Sequence, residues 1–77
     1  TNSLPAPYAK ITTSISIPKN IANWMIRYNS ERIESIRERF GVEIDFSLAV
    51  PESNKRIITL YGSPCMSVSA YSQLMQM

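Results

Sequence analysis

The apolar residues of this chain change their spacing along the sequence, and the order of these changes restricts the possible folds more than any other feature. They alternate with Thr and Ser from Ile11 to Ile17, which predicts a half-buried strand. Spacings of three and four at Ile33, Ile36 and Phe40 predict an amphipathic helix, which Gly41 ends. Alternation then returns from Val42 to Leu48. Such switches between the two periods predict a mixed α+β fold with helices covering a sheet.

Turn-forming residues divide the remaining sequence into three further elements. Pro18 precedes a short predicted helix from Lys19 to Ile26, and the β-branched stretch from Lys55 to Tyr61 predicts another strand after a loop at 49–54. Ser63-Pro64 predicts a capped helix start, with the last helix running to about Gln76. The residues expected to be buried in these helices are Ile21, Ala22, Met25 and Ile26 in the first, and Val68, Ala70 or Tyr71, Leu74 and Met75 in the last.

Length and composition indicate one small globular domain. The 77 residues suffice for a single core, and a content of 44% hydrophobic with 18% charged residues is typical of a folded chain. Residues 1–10, with two prolines, predict an extended lead-in, and residues 11–77 form the domain. Since the chain does not begin with Met, we expect it to be part of a larger protein.

Several functional classes are disfavoured by the residues present. There is no His and only one Cys, so neither a catalytic group, a metal site, a cofactor site nor an internal disulfide is expected. No apolar run reaches the roughly 18 residues of a membrane span, and an intracellular location, cytoplasmic or nuclear, is expected. The net charge of +2 is too small to attract nucleic acid by itself. Four Arg residues within 27–39 are interleaved with Glu, which is typical of a solvated helix face.

The order of these elements, with the residues at their junctions, resembles the eukaryotic type I KH domain. The matching segments are Ile15-Ser16-Ile17-Pro18, Ile26, Ile33-Glu34-Ser35-Ile36, Phe40-Gly41-Val42-Glu43-Ile44, Ile57-Ile58-Thr59-Leu60-Tyr61-Gly62 and Ala70. The resemblance covers residues 11–76. It implies a βααββα module with a three-stranded antiparallel sheet and three helices packed on one face. Such modules usually bind single-stranded RNA or DNA.

The segment Arg27-Tyr28-Asn29-Ser30 departs from the family pattern. Members of the family carry a Gly-x-x-Gly loop here, which brings the backbone close to the phosphates. The two glycine positions are occupied by Arg27 and Ser30, an earlier helix glycine position by Asn23, and a usual valine position in the last helix by Ser67. The resemblance is therefore to a divergent KH domain, in which the usual grip on nucleic acid is weakened.

The candidate RNA-binding residues follow from this resemblance. Arg27 offers a guanidinium to a phosphate, Asn29 and Ser30 offer hydrogen bonds, and Trp24 or Tyr28 offers a surface for base stacking. The complete candidate set is Asn23, Trp24, Arg27, Tyr28, Asn29, Ser30, Arg37, Ile44 and Lys55. The alternatives are that residues 27–30 form an ordinary helix connector, capped by Asn29 or Ser30, or contact a protein. Trp24 and Ile44 are also candidate core residues.

Two functions are compatible with the sequence. The first is a divergent KH domain of a larger RNA-associated protein, with weak or assisted binding of single-stranded RNA. The second is a KH scaffold that no longer binds nucleic acid and contacts a protein partner or a second copy of itself. Tyr71, Met75 and Met77 are the candidate contact residues for this second function, although they also suit helix packing.

Overall fold

The computed structural model describes residues 9–77, so the predicted lead-in lies almost entirely outside the described residues. Six elements follow in the predicted order, which confirms the α+β class and the βααββα arrangement. They are β1 (Ile11–Pro18), α1 (Lys19–Tyr28), α2 (Ser30–Phe40), β2 (Glu43–Phe46), β3 (Lys55–Gly62) and α3 (Pro64–Leu74).

The three strands form one antiparallel sheet in the order β1-β3-β2. In its register, Ile15 lies opposite Ile58 and Ile44 lies opposite Leu60. Side chains alternate between the two faces of a strand, so these residues share the face that the helices cover. Residues from all three helices join them in the hydrophobic core, with Ile58, Leu60 and Leu74 as its largest fully buried side chains.

The two glycines are required at their positions for different structural reasons. Gly41 has a φ of 63°, and this left-handed conformation ends α2 as the sequence predicts. At Gly62 the reason is space, because a Cβ atom there would lie 2.6 Å from Cγ1 of Val42. Gly62 thus allows the end of β3 to pack against the residue that precedes β2.

The prediction for the start of α3 is confirmed, whereas the predicted cap of α2 is wrong. The hydroxyl of Ser63 accepts the N–H of Met66 at 3.3 Å, with Pro64 in the first turn. Asn29 precedes α2, but its side chain accepts no hydrogen bond there. Its backbone carbonyl instead accepts the N–H of Ile33 at 3.0 Å, so the helix start is stabilised through the main chain.

The second strand is shorter than predicted and ends at Phe46. The N–H of Ser47 still donates to the carbonyl of Ile57, but the side-chain oxygen of Ser47 accepts the N–H of Ile57 at 2.8 Å. A side chain has therefore replaced the next backbone partner, and the chain leaves the sheet. Leu48, which the alternation placed on the buried face, is 86% exposed.

The helices also bury a different set of side chains from the one predicted. In α1 the smaller set Ala22 and Met25 is buried, while Ile21 and Ile26 are exposed. The helix α1 also extends beyond its predicted end at Ile26, through Arg27 and Tyr28, because neither residue disfavours a helix. Because Ile21 and Ile26 are exposed, their side chains are available to line surface grooves.

The face of α3 is set by Ala70 and Leu74, which are fully buried. Ser67 precedes them by three and seven residues, so it lies on the same helical stripe and is only 4% exposed. Val68 lies off that stripe and is 69% exposed, which contradicts the prediction that it is buried. The helix ends at Leu74 rather than at Gln76.

Candidate nucleic-acid interface

A groove of about 310 Å³ lies where α1 and α2 meet β2. Its apolar lining comes from Ile26 of α1, Ile33 of α2, and Ile44 and Phe46 of β2. The remaining lining residues are polar or charged: Ser30, Glu34, Arg37, Asp45 and Arg56. An apolar surface with hydrogen-bonding groups beside it suits a ligand that has flat apolar faces and polar edges.

One residue, Asn29, joins α1 to α2, and Ser30 directly after it lines this groove. Its N–H donates to the carbonyl of Met25 at 2.9 Å, and its φ is −130°. Among residues 9–77, no residue other than glycine has a positive φ. The connection between α1 and α2 therefore needs no glycine, and its backbone conformation is compatible with the side chains of residues 27–30.

The groove brings together three of the candidate RNA-binding residues, namely Ser30, Arg37 and Ile44. Arg27 and Tyr28 occupy the last turn of α1 beside the groove, but they do not line it. Both are exposed, as is required for contact with a strand that extends beyond the groove. Their role in RNA binding stays a prediction.

Trp24 and Lys55 lie elsewhere on the surface. The indole of Trp24 is 43% exposed and lines a second groove, on the side of α1 that faces the end of α3. Lys55 is exposed at the start of β3 and does not line the first groove. Neither residue joins the cluster around Ile44.

Arg56 is a groove residue that the sequence interpretation missed. Its Nε donates to the carbonyl of Ser47 at 2.8 Å, and its Nη1 donates to Oδ1 of Asn23 at 2.7 Å. The sequence contains a signal for it, because Arg56 precedes the buried residues Ile58 and Leu60 by two and four positions. Alternation along β3 thus places Arg56 on the helix-covered face and Lys55 on the other.

The charges at the groove are nearly balanced. Nη1 of Arg37 lies 3.2 Å from Oε1 of Glu34, and both side chains are partly exposed. Asp45 lines the groove together with Arg56. An exposed pair such as Arg37–Glu34 contributes little to stability, but the two carboxylates at the groove reduce the positive potential available to attract a phosphate backbone.

Two grooves other than the one at Ile44 are almost entirely apolar, and the candidate protein-contact residues are divided between them. Tyr71 lines a groove of about 280 Å³ between β1 and α3, together with Ile11, Thr13, Ile15, Leu60, Pro64, Ser67 and Val68. Met75 and Met77 line the groove of about 270 Å³ that also contains Trp24. The side-chain oxygen of Ser67 is buried at the first of these grooves without a hydrogen-bond partner.

Other kinds of site are not seen in the part of the chain that the structure describes. Within residues 9–77 no three His, Cys, Asp or Glu side chains are grouped so that they could hold a metal ion. No helix in this range has the length and apolar character needed to cross a bilayer. The single cysteine, Cys65, is exposed in the first turn of α3.

Comparisons with known proteins agree with this geometry. The model of the KH domain family matches residues 12–76. Among solved structures, the solution structure of the 8th KH type I domain from human vigilin is similar, with 27% sequence identity and a TM-score of 0.66. The alignment covers 99% of this chain and 77% of the vigilin chain. Both similarities extend over all the elements that line the groove.

Proposed function

The chain belongs to the KH domain family, and from this membership we propose that it binds single-stranded RNA through the groove between α1, α2 and β2. KH domains generally bind RNA, and they clamp about four nucleotides beside the connection between their first two helices. The observation that carries the proposal is the combination of an aliphatic lining, including Ile26, Ile33 and Ile44, with the guanidinium groups of Arg37 and Arg56.

Each part of the groove has a role in this proposal. Unpaired bases lie against the side chains of Ile33 and Ile44, because their faces are apolar and gain from leaving water. The polar edges of the bases then meet the donors of Arg56, and the phosphates pass Arg37 and the N-terminal turn of α2 at Ser30. Helix N-termini favour anionic groups, which supports this direction for the phosphates.

We propose that the affinity of the isolated domain is low. Residues 27–30 carry side chains at the point where family members use glycine to approach the phosphates closely. Nη1 of Arg37 is already paired with Glu34, and this carboxylate weakens the attraction between the guanidinium and a phosphate. Higher affinity then comes from further domains of a larger intracellular RNA-associated protein, because linked modules raise one another's effective concentration.

An NMR titration tests this function directly. The wild-type domain is titrated with a pool of short single-stranded RNAs at low and moderate salt, and backbone amide shifts are recorded. We expect shifts at Ser30, Ile33 and Ile44 that weaken with salt. About two phosphate contacts would give a slope of log K against log salt of about −1.4.

Two charge reversals separate a specific site from general electrostatics. Arg27→Asp removes a cation beside the groove, whereas Arg39→Asp makes the same charge change at the far end of α2, in a different surface pocket. We expect Arg27→Asp to weaken binding several-fold more than Arg39→Asp. Equal losses would show that only net charge matters, and an absence of shifts in the wild type at high RNA concentration would refute direct binding.

The groove between β1 and α3 favours a second candidate function, contact with a protein. Val68 is exposed beside it, and in residues 9–77 no strand pairs with the outer edge of β1. The eight residues of β1 carry no charge, whereas the opposite edge strand β2 contains Glu43 and Asp45. Charges usually protect an edge from pairing, so the β1 edge suits association with a second copy of the chain.

Sedimentation velocity at increasing protein concentration tests this alternative. A homodimer through β1 and α3 would show a rising mass that Val68→Glu abolishes, with no change in RNA binding. A monomer at all concentrations would exclude self-association and leave only a different protein as the partner for this surface.

A further inference from the structure

The side chain of Arg56 is held from two sides by parts of the chain that are distant in sequence. Its Nη1 donates to Asn23 on α1, at a separation of 33 residues, and its Nε donates to the carbonyl of Ser47 after β2. We propose that Asn23 is a positioning residue that orients the guanidinium of Arg56 to donate to RNA. This inference rests on the proposed function and assigns the polar recognition at the groove to one side chain.

The two hydrogen bonds leave most of the guanidinium free. An Arg side chain has five N–H donors, and two of them are used by Ser47 and Asn23, so three remain. Arg56 lines the same groove as Ile44 and Phe46, which brings these donors next to the surface where bases would lie. The structure therefore provides donors at the edge of an apolar platform.

A fixed guanidinium favours particular ligands. Its planar group binds two neighbouring acceptors at once, as in guanine O6 and N7. Cytosine also presents two neighbouring acceptors, N3 and O2, whereas adenine and uracil present a donor beside each acceptor on the Watson–Crick edge. We therefore expect the base at Arg56 to be guanine or cytosine.

Asn23 contributes to RNA affinity because an unrestrained Arg side chain must be ordered when the ligand binds. Holding it in advance removes part of that entropic cost. Asp45 lines the same groove and offers a competing carboxylate to a guanidinium that has lost Asn23. Replacing Asn23 thus leaves Arg56 held only by Ser47 and exposes its guanidinium to a competing partner, although Asn23 itself need not contact RNA.

A double-mutant cycle on RNA affinity tests the assignment. Asn23→Ala removes the acceptor, and Asn20→Ala is the matched control at another exposed position of α1. With a short cytosine- or guanine-containing single strand, we expect Asn23→Ala to weaken binding about fivefold, from the entropy of one long side chain. Asn20→Ala should have no effect. In an Arg56→Gln background, Asn23→Ala should cause no further loss.

The cycle separates positioning from other roles. If Asn23→Ala weakens binding equally in the wild-type and Arg56→Gln backgrounds, Asn23 acts independently of Arg56 and the inference is wrong. If Asn23→Ala has no effect in either background, the inference is also wrong. A circular-dichroism melt of each variant checks that the exposed substitutions leave the fold intact.

An NMR measurement keeps this inference distinct from the proposed function. In the free protein, the Nε–H resonance of Arg56 should exchange slowly with water, because Arg56 is anchored at both Ser47 and Asn23. Asn23→Ala should accelerate the exchange, while Asn23→Asp, which retains an acceptor, should preserve it. If the wild type binds no RNA, the proposed function fails, and the acceleration of exchange by Asn23→Ala alone shows whether Asn23 positions Arg56; exchange that stays slow in Asn23→Ala would mean that Ser47 holds Arg56 without Asn23. Fast exchange in the wild type would overturn the positioning itself.

Discussion

Replacing Ser67 by valine should stabilise this domain. Ser67 is 4% exposed, and its hydroxyl has no hydrogen-bond partner among the described residues. It belongs to the stripe of α3 that packs on the core with Ala70 and Leu74. A buried hydroxyl without a partner has lost its hydrogen bonds to water and gained none in the protein. Burial of the Ser67 hydroxyl therefore lowers the stability of the domain.

The size of the effect follows from two contributions. Removing the unpaired hydroxyl should recover about 1 to 3 kcal/mol, and the additional carbon of valine should contribute up to about 0.8 kcal/mol on burial. The groove of about 280 Å³ that Ser67 lines provides room, although some repacking strain will offset the gain. We expect a net stabilisation of about 1 to 2 kcal/mol, which for a domain of this size raises Tm by about 4 to 8 °C per kcal/mol.

Urea unfolding followed by circular dichroism measures the change, with the m-value checked for constancy. Ser69→Val is the matched control, because Ser69 is less buried on the same helix and serine and valine have similar helix propensities. It should change the free energy of unfolding by no more than about 0.5 kcal/mol. Ser67→Ala removes the hydroxyl without adding bulk and separates the two contributions.

A free energy of unfolding for Ser67→Val at or below the wild-type value would refute this reasoning. Stabilisation by Ser67→Ala together with destabilisation by Ser67→Val would show that the hydroxyl is costly but that the position has no room for valine. Equal gains from Ser67→Val and Ser69→Val would assign the effect to the helix rather than to burial.

Three further substitutions test other features by the same urea assay. Gly62→Ala should destabilise the domain by about 1 to 3 kcal/mol, because the new Cβ meets Val42; the loss should be smaller when both proteins compared already carry Val42→Ala, and an equal loss in the two backgrounds would contradict the contact. Gly41→Ala should cost about 1 kcal/mol through its positive φ alone, since no atom lies within 4 Å of the new Cβ; an unchanged stability would show that the turn relaxes. Leu48→Asn should change stability by less than about 0.5 kcal/mol, because Leu48 is exposed; a larger loss would place this leucine in the core.

Local sequence patterns were sufficient for the kind and order of the elements. The alternation in β1 and the spacing of Ile33 and Ile36 are properties of neighbouring residues, and they predicted the elements that the structure contains. The same holds for Gly41 and for Ser63-Pro64, because a helix end depends on the few backbone groups beside it. The resemblance that these elements carried was confirmed by the KH family match.

Local patterns were insufficient where several faces were equally apolar. In α3 hydrophobic residues occur all round the helix, so the sequence did not distinguish Val68 from Ser67 as the buried residue. Ser67 is buried and Val68 is exposed because Ala70 and Leu74, on the side of α3 that carries Ser67, pack in the core. Leu48 continued the alternation of β2, but the hydrogen bonds of Ser47 to Ile57 ended the strand before it.

The candidate site likewise depends partly on local sequence patterns and partly on tertiary packing. The sequence by itself determined which face of β2 carries Ile44, because alternation is encoded locally, and the resemblance to KH domains made Ile44 a candidate RNA-binding residue. Alternation along β3 puts Arg56 on the helix-covered face, but only the tertiary structure placed it at this groove and gave its Nη1 a partner on α1. That hydrogen bond joins residues 33 positions apart, and its geometry exists only once β3 has paired between β1 and β2 and α1 has packed across the sheet.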